Sequence, residues 1–354
     1  MRQSELLRAT DRRTAAKHSS ASRVASRRRL ARRAMVLAAA VAAGVFGGVA
    51  WVFLGGHGRS ATAQAAVSRL TLEDIPFNGS RAYESLKQLC AIGPRPSGSP
   101  GMETQRKLLV EHFQKLGGQV ELQRFRVKHP EEDSTVHMAN IVVHWDPAKA
   151  SRILLCGHYD TLPFPLEDAE NPRGRFIGAN DNASGVALLM ELAHDLPALH
   201  CRYGIDFLLL DGEEYIFNYH EPFFLGSQYF AEQYVRNPQP YHYRWGILLD
   251  MIGAGDLQIY EERNSLRWRD TRPLVASIWA TAARLGVREF VAKPKREIRD
   301  DHLMLHEVGH IPCIDIIDFD YPPWHTQGDL PARCSPLSLA KVGWVLEEWL
   351  KTVK

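Results

Sequence analysis

Short apolar runs alternate with segments of helical periodicity from about residue 82 to the C-terminus. The runs of strand length are residues 140–144, 153–156, 205–210, 245–250 and 311–317. Apolar residues recur at helical spacing over 82–89, 102–116, 186–196, 273–285 and 335–353. Strands that alternate with helices predict an α/β fold, with a mostly parallel central sheet flanked by helices on both faces.

Residues that favour caps and turns mark the ends of several of these elements. Gly117 and Gly118 end the second helix, and the alternation of apolar and polar residues over 120–127 then predicts a strand with one exposed face. Ser335 and Pro336 suit the N-cap and the first position of the last helix. We therefore expect the folded body to begin near residue 70 and to end on this helix.

Side chains that can bind a metal or transfer a proton follow several of the apolar runs. They are His158, Asp160, Asp181, Glu213, Glu214, Asp250 and His325. Ligand sites in open α/β sheets lie beyond the carboxyl ends of the strands, so we expect these side chains to converge there. Histidine, aspartate and glutamate together form a nitrogen and oxygen donor set that suits Zn²⁺.

Each of these residues also has an ordinary structural explanation. A lone histidine or aspartate at a strand end usually caps a helix or pairs with an arginine, and Asp181 precedes a helix closely enough to be its N-cap. The adjacent acids Glu213 and Glu214 are harder to explain this way, because like charges repel each other when they are buried. A bound cation relieves that repulsion, so the pair favours a metal site.

The net charge of +2 hides two parts of opposite charge. Residues 1–33 carry 11 Lys and Arg against 2 Asp and Glu, whereas the other 321 residues carry 32 against 39. A mildly acidic body argues against nucleic-acid binding. The basic segment 1–33 has no apolar periodicity, and we interpret it as a disordered cytoplasmic tail.

Residues 34–54 are 21 consecutive residues without a charged side chain. This length spans a bilayer, and the arginines that precede it fit the positive-inside rule, which favours a membrane span over a buried core helix. The segment is either an uncleaved anchor or a cleavable export signal, with Ala63–Ala65 as a cleavage motif and Arg27–Arg29 resembling a twin-arginine signal. We expect a membrane-anchored protein with its catalytic domain on the exported side, or a secreted or periplasmic one.

Residues 55–69 are interpreted as a linker and residues 70–354 as the catalytic domain. The five cysteines lack the spacing of a metal site such as C-x-x-C. Their odd number leaves at least one free thiol in a monomer. The sequence alone does not decide whether any two of them pair.

The order of the seven candidate residues resembles that of the zinc aminopeptidase family, peptidase clan MH. The resemblance covers about residues 75–352 and implies the phosphorylase/hydrolase-like α/β sheet of that family. The branch it resembles most closely is that of the glutaminyl-peptide cyclotransferases (glutaminyl cyclases), which are acyltransferases. The complete set of motifs is specific to the family, whereas any single one is not.

Three features favour the cyclase branch. An aromatic insert, Tyr215–Leu225, follows the Glu-Glu pair, where ordinary aminopeptidases of the family have only a short gap. Trp324 precedes His325, and the triplet Asp300–His302 ends 23 residues before that histidine, as a matching triplet does in the cyclases. The segment 182–186 is closer to the aminopeptidase pattern, and Cys156 has no partner near residue 187 for the disulfide of the cyclases.

The resemblance implies a role for each candidate residue. Asp181, Glu214 and His325 would bind Zn²⁺, and Glu213 would be the general base and acid. In a cyclase one zinc ion is expected, whereas an aminopeptidase would bind two. The side chains expected to line the substrate pocket are Trp324 and, less directly implied, Tyr219.

The remaining candidates separate the two chemistries. Asp250 and Asp300 would be hydrogen-bonded partners of the general base. His158 and Asp160 would support the metal ligands in a cyclase, whereas His158 and Asp250 would hold a second zinc ion in an aminopeptidase. All the ligands that a two-zinc site requires are present, so both chemistries remain open at this point.

The cyclase reading predicts conversion of an N-terminal glutamine to pyroglutamate with release of ammonia. The alternative is a two-zinc aminopeptidase that acts on the same kind of substrate, a peptide or protein with a free N-terminus. A third reading is a membrane-anchored binding domain without activity. It conflicts with an intact general base and metal ligands, for which a binding domain has no need.

Overall fold

The computed structural model describes residues 67–354, and the predictions for residues 1–33, 34–54 and 55–66 lie outside the described residues. The strands are β1 Gln119–Lys128, β2 Thr135–Trp145, β3 Ser151–His158, β4 Gly204–Leu210, β5 His242–Asp250, β6 Ile259–Glu261, β7 Phe290–Pro294 and β8 Cys313–Ile317. The α-helices are α1 Gly79–Ile92, α2 Pro100–Lys115, α3 Ala183–Leu192, α4 Leu225–Arg236, α5 Arg263–Arg267, α6 Arg272–Leu285, α7 Asp301–Glu307 and α8 Pro336–Thr352.

Six strands form one sheet in the order β1-β2-β4-β3-β5-β8. Strand β3 pairs in parallel with β4 and β5, and β5 pairs in parallel with β8. Strands β1 and β2 are antiparallel to each other, and β2 is antiparallel to β4. The predicted mostly parallel sheet is confirmed, with an antiparallel hairpin at one edge.

The sheet is covered on both faces, which explains why its central strands are apolar throughout. On β3, Ile153 and Leu155 belong to the core shared with α1, α3 and α8, whereas Leu154 and Cys156 belong to the core shared with α4 and α7. Successive side chains of a strand point to opposite faces, so a strand buried on both faces shows no alternation of polar residues.

The start of α3 is fixed against the end of β5, and this contact places Asp181. Asn182 is the N-cap: its carboxamide oxygen accepts a hydrogen bond from Gly185 N at 2.9 Å, and its nitrogen donates to the Leu249 carbonyl at 2.8 Å. The alternative that Asp181 serves as the N-cap is therefore wrong, and its carboxylate is available to the site.

Two predicted boundaries near prolines are wrong. The helix predicted over 186–196 ends at Leu192, because the chain tightens into i→i+3 bonds: His194 N donates to the Glu191 carbonyl and Asp195 N to the Leu192 carbonyl, ahead of the 3₁₀ turn Leu196–Ala198. The strand predicted over 311–317 begins at Cys313, because Pro312 has no N–H to donate to a ladder. The pattern also missed α4 and α7, where polar residues interrupt the apolar spacing.

Ser68 belongs to the folded body. Its hydroxyl donates to a carboxylate oxygen of Glu289 at 2.9 Å, so the body begins no later than this residue. All five cysteines are buried and free, and none is paired in a disulfide. Within residues 67–354, no helix combines the length and the apolar character that crossing a membrane requires.

Replacing Gly185 by alanine is expected to destabilise the protein by about 1–3 kcal/mol, the usual range for overpacking. A Cβ atom there would lie 2.5 Å from the Leu249 carbonyl oxygen and 2.6 Å from the Asn182 side chain. Gly255→Ala is the matched control, because its Cβ would meet only the Arg333 carbonyl at 3.5 Å. Thermal unfolding measures both, and equal midpoints for the two variants would contradict the close contact of α3 with β5.

Candidate active site

A cavity of about 530 Å³ opens beyond the carboxyl ends of β4, β5 and β8. Eight of the predicted site residues line it, namely Asp181, Glu213, Glu214, Tyr219, Asp250, Asp300, Trp324 and His325. The other two, His158 and Asp160, are completely buried beneath its floor. The structure therefore brings all ten residues to one edge of the sheet, although Asp181 and His325 come from loops and not from strand ends.

Asp181, Glu214 and His325 direct polar atoms toward one another. His325 Nε2 lies 3.4 Å from Asp181 Oδ2 and 3.2 Å from Glu214 Oε2. Glu214 Oε1 accepts a hydrogen bond from Leu162 N at 2.7 Å, whereas its Oε2 has no hydrogen-bond partner although it is buried. A buried carboxylate oxygen without a donor is an unfavourable arrangement unless a cation binds there.

His158 forms a second group that overlaps with the first. Its Nε2 lies 3.1 Å from Asp181 Oδ1 and 3.4 Å from Asp250 Oδ1, and its Nδ1 lies 3.6 Å from Asp160 Oδ1. One ligand atom each from His158, Asp181 and Glu214 can be chosen so that all three lie within 4.8 Å of one another. Both Asp181 and Glu214 thus belong to two possible ligand sets that differ in the histidine.

The surroundings of the two histidines favour His325 as the ligand that joins Asp181 and Glu214. His325 Nε2 lies within 3.4 Å of both Asp181 and Glu214, and its Nδ1 has the Tyr219 hydroxyl at 3.0 Å. The nitrogens of His158 lie instead beside Asp160, Asp181 and Asp250. Ligating histidines usually bind the metal through one nitrogen and hold a hydrogen-bond partner with the other.

Asp160 positions the acidic pair and is not free to bind a metal. Its two carboxylate oxygens accept hydrogen bonds from the backbone N–H groups of Glu213 at 3.1 Å and Glu214 at 3.2 Å. The pair follows β4 directly, so this carboxylate fixes the direction in which both glutamates leave the sheet.

The His325 backbone adopts a left-handed conformation with φ of 55°, which is uncommon for a residue other than glycine. Its carbonyl accepts a hydrogen bond from Glu167 N at 3.0 Å, which ties the loop containing His325 to the loop that follows β3. Backbone strain of this kind persists only where the surroundings hold it, and it is frequent at functional sites.

Burial and mutual repulsion dominate the electrostatics of the cavity floor. Burial and the Asp181 charge raise the pKa of Glu214 well above its ordinary value. Burial also raises the pKa of Glu213 well above its ordinary value; His158 opposes this shift and the Asp300 charge adds to it. For Asp300 itself, burial and the charge of Asp250 raise the pKa well above the ordinary value.

The histidines compensate only part of this negative charge. Burial alone would raise the pKa of Asp181, but hydrogen bonds from His158 and His325 lower it below its ordinary value. Burial alone would lower the pKa of His158, but the surrounding carboxylates, Glu213 foremost, raise it well above its ordinary value. Asp181, Glu214 and His325 therefore fit a divalent cation, because one buried oxygen of Glu214 has no hydrogen-bond partner. Two carboxylates and one imidazole are a donor set that suits Zn²⁺.

Aromatic side chains form one wall of the cavity. The Trp324 ring stacks on His325 with ring centroids 3.9 Å apart, and it contacts Phe319 at 5.1 Å. The insert Tyr215–Leu225 supplies Tyr219, Phe223 and Phe224 to the cavity lining. The pocket residues implied by the resemblance thus lie at the cavity, and Phe223, Phe224 and Phe319 are three further lining residues that were not predicted individually.

Asp329 is another residue that the sequence did not reveal. Its buried carboxylate accepts hydrogen bonds from the N–H groups of Asn180 at 2.8 Å and Asp181 at 3.1 Å, and from the Tyr321 hydroxyl at 2.8 Å. It therefore holds the backbone of Asp181 as Asp160 holds that of the glutamates. The only signal was an aspartate after Gly328, which is equally typical of a turn.

Comparison with known proteins assigns this arrangement to a family. The model of peptidase family M28 matches residues 140–350. The chain belongs to peptidase family M28. It is 29% identical to the mouse glutaminyl-peptide cyclotransferase-like protein over 283 residues, which covers 72% of this chain and 71% of that protein.

Solved structures place this M28 chain beside proteins of both chemistries. The glutaminyl cyclase of Fimbriiglobus ruber matches with a TM-score of 0.75 and 37% identity, over 79% of this chain and 96% of that one. A leucine aminopeptidase precursor from Bacteroides thetaiotaomicron matches with a TM-score of 0.73 and 29% identity, over 78% and 98%. The family, expected from the order of the motifs, is confirmed. Its glutaminyl cyclase branch, expected from the aromatic insert, Trp324 and the Asp300–His302 triplet, is confirmed as well.

Proposed function

We propose that this protein is a zinc-dependent glutaminyl-peptide cyclotransferase that converts an N-terminal glutamine to pyroglutamate and releases ammonia. The observation that carries the proposal is the aromatic lining of the cavity beside the candidate metal ligands. Trp324 stacks on His325 with ring centroids 3.9 Å apart, and the insert adds Tyr219 and Phe223 to the lining. Such a lining suits a small side chain beside a free N-terminus, as ring closure requires.

The similarity to glutaminyl cyclases and the shape of the cavity support the same conclusion. The insert and Trp324 narrow the cavity with aromatic rings, which suits a small side chain beside a free N-terminus. Ring closure consumes no water, so an apolar wall that excludes water favours cyclisation over hydrolysis.

Asp181, Glu214 and His325 would hold the zinc ion, which as a Lewis acid polarises the γ-carbonyl of the substrate glutamine. Glu213 takes a proton from the α-amine, and the amine nitrogen attacks the γ-carbon to form the new C–N bond. When the bond from that carbon to the side-chain nitrogen breaks, Glu213 donates the proton to the departing ammonia. The raised pKa of Glu213 suits a group that must both accept and release a proton near neutral pH.

Asp250 and Asp300 are proposed to orient the reacting groups. Both line the cavity, and the charge of Asp300 raises the pKa of Glu213. Asp250, at the end of β5, can accept a hydrogen bond from the neutral α-amine of the substrate and hold it beside the general base. Asp300 accepts a hydrogen bond from Asp301 N at 2.6 Å, which fixes its carboxylate at the start of α7.

A second candidate function is aminopeptidase activity with two zinc ions. The structural similarity to the Bacteroides thetaiotaomicron protein favours it, and every ligand of a two-metal site is present in this chain. In that case His158 and Asp250 would bind the second ion and Glu213 would deprotonate a water molecule.

We also propose, from the sequence alone, that residues 34–54 anchor the protein in a membrane or direct its export. The catalytic domain would then meet peptides or proteins with a free N-terminus on the exported side. Detecting the mature N-terminus by peptide mapping separates an anchor from a cleaved signal.

Mass spectrometry of synthetic peptides after incubation tests the proposed reaction. A peptide with N-terminal glutamine is expected to lose ammonia, whereas a peptide with N-terminal leucine is expected to stay intact. The matched control is the same glutamine peptide with an acetylated N-terminus, which has no free amine to attack. Release of leucine from the leucine peptide faster than the glutamine peptide cyclises would instead establish aminopeptidase activity.

Glu213→Gln is expected to lower kcat by roughly 10²–10⁴-fold, the usual contribution of a general acid–base group. The amide keeps the shape of the side chain but cannot take up the proton, so zinc content and folding are expected to be unchanged. Glu297→Gln is the control, because Glu297 lines the mouth of the same cavity and pairs with Arg267 at 2.9 Å. Near-normal turnover of Glu213→Gln would assign the proton transfer to another group.

Elemental analysis of two histidine variants tests the metal site. His325→Ala is expected to lose most of the bound zinc, because it removes one of three proposed protein ligands. His158→Ala is expected to keep one zinc ion per chain and to lose only part of the rate. Two ions in the unaltered protein, with one of them lost in His158→Ala, would contradict the one-metal site.

A further inference from the structure

The Tyr219 hydroxyl contacts Nδ1 of His325, whereas Nε2 of the same ring faces the acidic residues. The oxygen lies 3.0 Å from His325 Nδ1, and the two rings are nearly parallel, with an interplanar angle of 9° and centroids 6.2 Å apart. The tyrosine is nevertheless 42% exposed, so this contact lies at the outer surface of the site.

The directions of the hydrogen bonds follow from the position of the other imidazole nitrogen. His325 Nε2 faces the carboxylates of Asp181 and Glu214, so a metal there needs its lone pair and places the proton on Nδ1. Nδ1–H then donates to the Tyr219 oxygen. Glu167 N donates to the His325 carbonyl, so the histidine is held at its backbone as well as at its ring.

The hydrogen bond between Tyr219 and His325 also attaches the apex of the insert, residues 217–222, to the rest of the protein. The other hydrogen bonds of the apex are internal: Phe217 N donates to Glu221, Glu221 N to the Asn218 carbonyl, and His220 N to the Asn218 side chain. Among the described residues, only the Tyr219 side chain connects the apex by hydrogen bonds to the rest of the protein.

We propose that Tyr219 is a positioning residue that couples metal binding at His325 to the conformation of the insert apex. The hydroxyl holds the imidazole in the orientation that a metal requires. Because coupling between two sites is reciprocal, a bound metal also holds Tyr219 and with it the apex that forms part of the substrate pocket. This inference rests on the proposed metal site but not on the choice between cyclase and aminopeptidase.

Tyr219→Phe tests the coupling, because it removes the hydroxyl and keeps the ring. Competition with a chelator is expected to show a zinc Kd roughly 10- to 100-fold higher than in the unaltered protein, the usual effect of losing such a partner. Hydrogen–deuterium exchange of residues 217–222 is expected to slow when zinc is added to the unaltered protein, and to change much less in Tyr219→Phe. A purely structural tyrosine would not produce an effect that depends on zinc.

Tyr215→Phe is the matched control, because it removes a hydroxyl from the same insert without touching His325. Its zinc Kd and exchange are expected to match those of the unaltered protein.

The outcomes separate the two proposals. A zinc Kd of Tyr219→Phe within twofold of the unaltered protein, or equal protection of residues 217–222 by zinc in both, overturns the coupling and leaves the proposed function intact. Failure of the unaltered protein to bind zinc overturns the proposed metal site and the coupling with it. Zinc binding without cyclisation overturns only the proposed reaction.

Discussion

Repulsion between buried carboxyl groups is the constraint on which the rest of this structure depends. Glu213, Glu214, Asp250 and Asp300 lie together at the floor of one cavity, and burial raises the pKa of each. Such a cluster is unfavourable unless cations, protons or backbone donors compensate it. In the part of the chain that the structure describes, imidazoles and backbone N–H groups provide some of this compensation, and the proposed zinc ion would provide more.

Carboxylates also hold the backbone from which the site is built. Asp160 accepts the N–H groups of the Glu213–Glu214 pair, and Asp329 accepts those of residues 180–181. In both cases a completely buried side chain fixes two consecutive peptide groups next to a proposed metal ligand. A carboxyl group offers two acceptor oxygens, so one side chain can hold two neighbouring N–H groups at once. The chemistry at the cavity therefore depends on acids that never reach the substrate.

The same scaffold supports two reactions, and small features decide between them. Solved structures named as a glutaminyl cyclase and as a leucine aminopeptidase precursor match this chain with nearly equal TM-scores. What favours cyclisation here is local: the aromatic insert beside Trp324. Fold similarity alone would not separate the two, because activity depends on the site and not on the scaffold.

The sequence by itself determined the sheet and the residues at its strand ends. Strands buried on both faces appear in the sequence as apolar runs, and parallel strands end at the same edge of a sheet. The sequence alone therefore predicted that His158, Glu213 and Asp250 lie together at that edge. Asp181 and His325 were also expected at this edge, as residues that follow apolar runs, although both lie in loops. The resemblance then implied which of the candidates bind the metal. Only the tertiary structure showed that Asp329 holds the Asp181 backbone and that Tyr219 meets His325. These contacts join segments more than 100 residues apart, and their geometry is set by how the loops pack over the sheet, which no local pattern encodes.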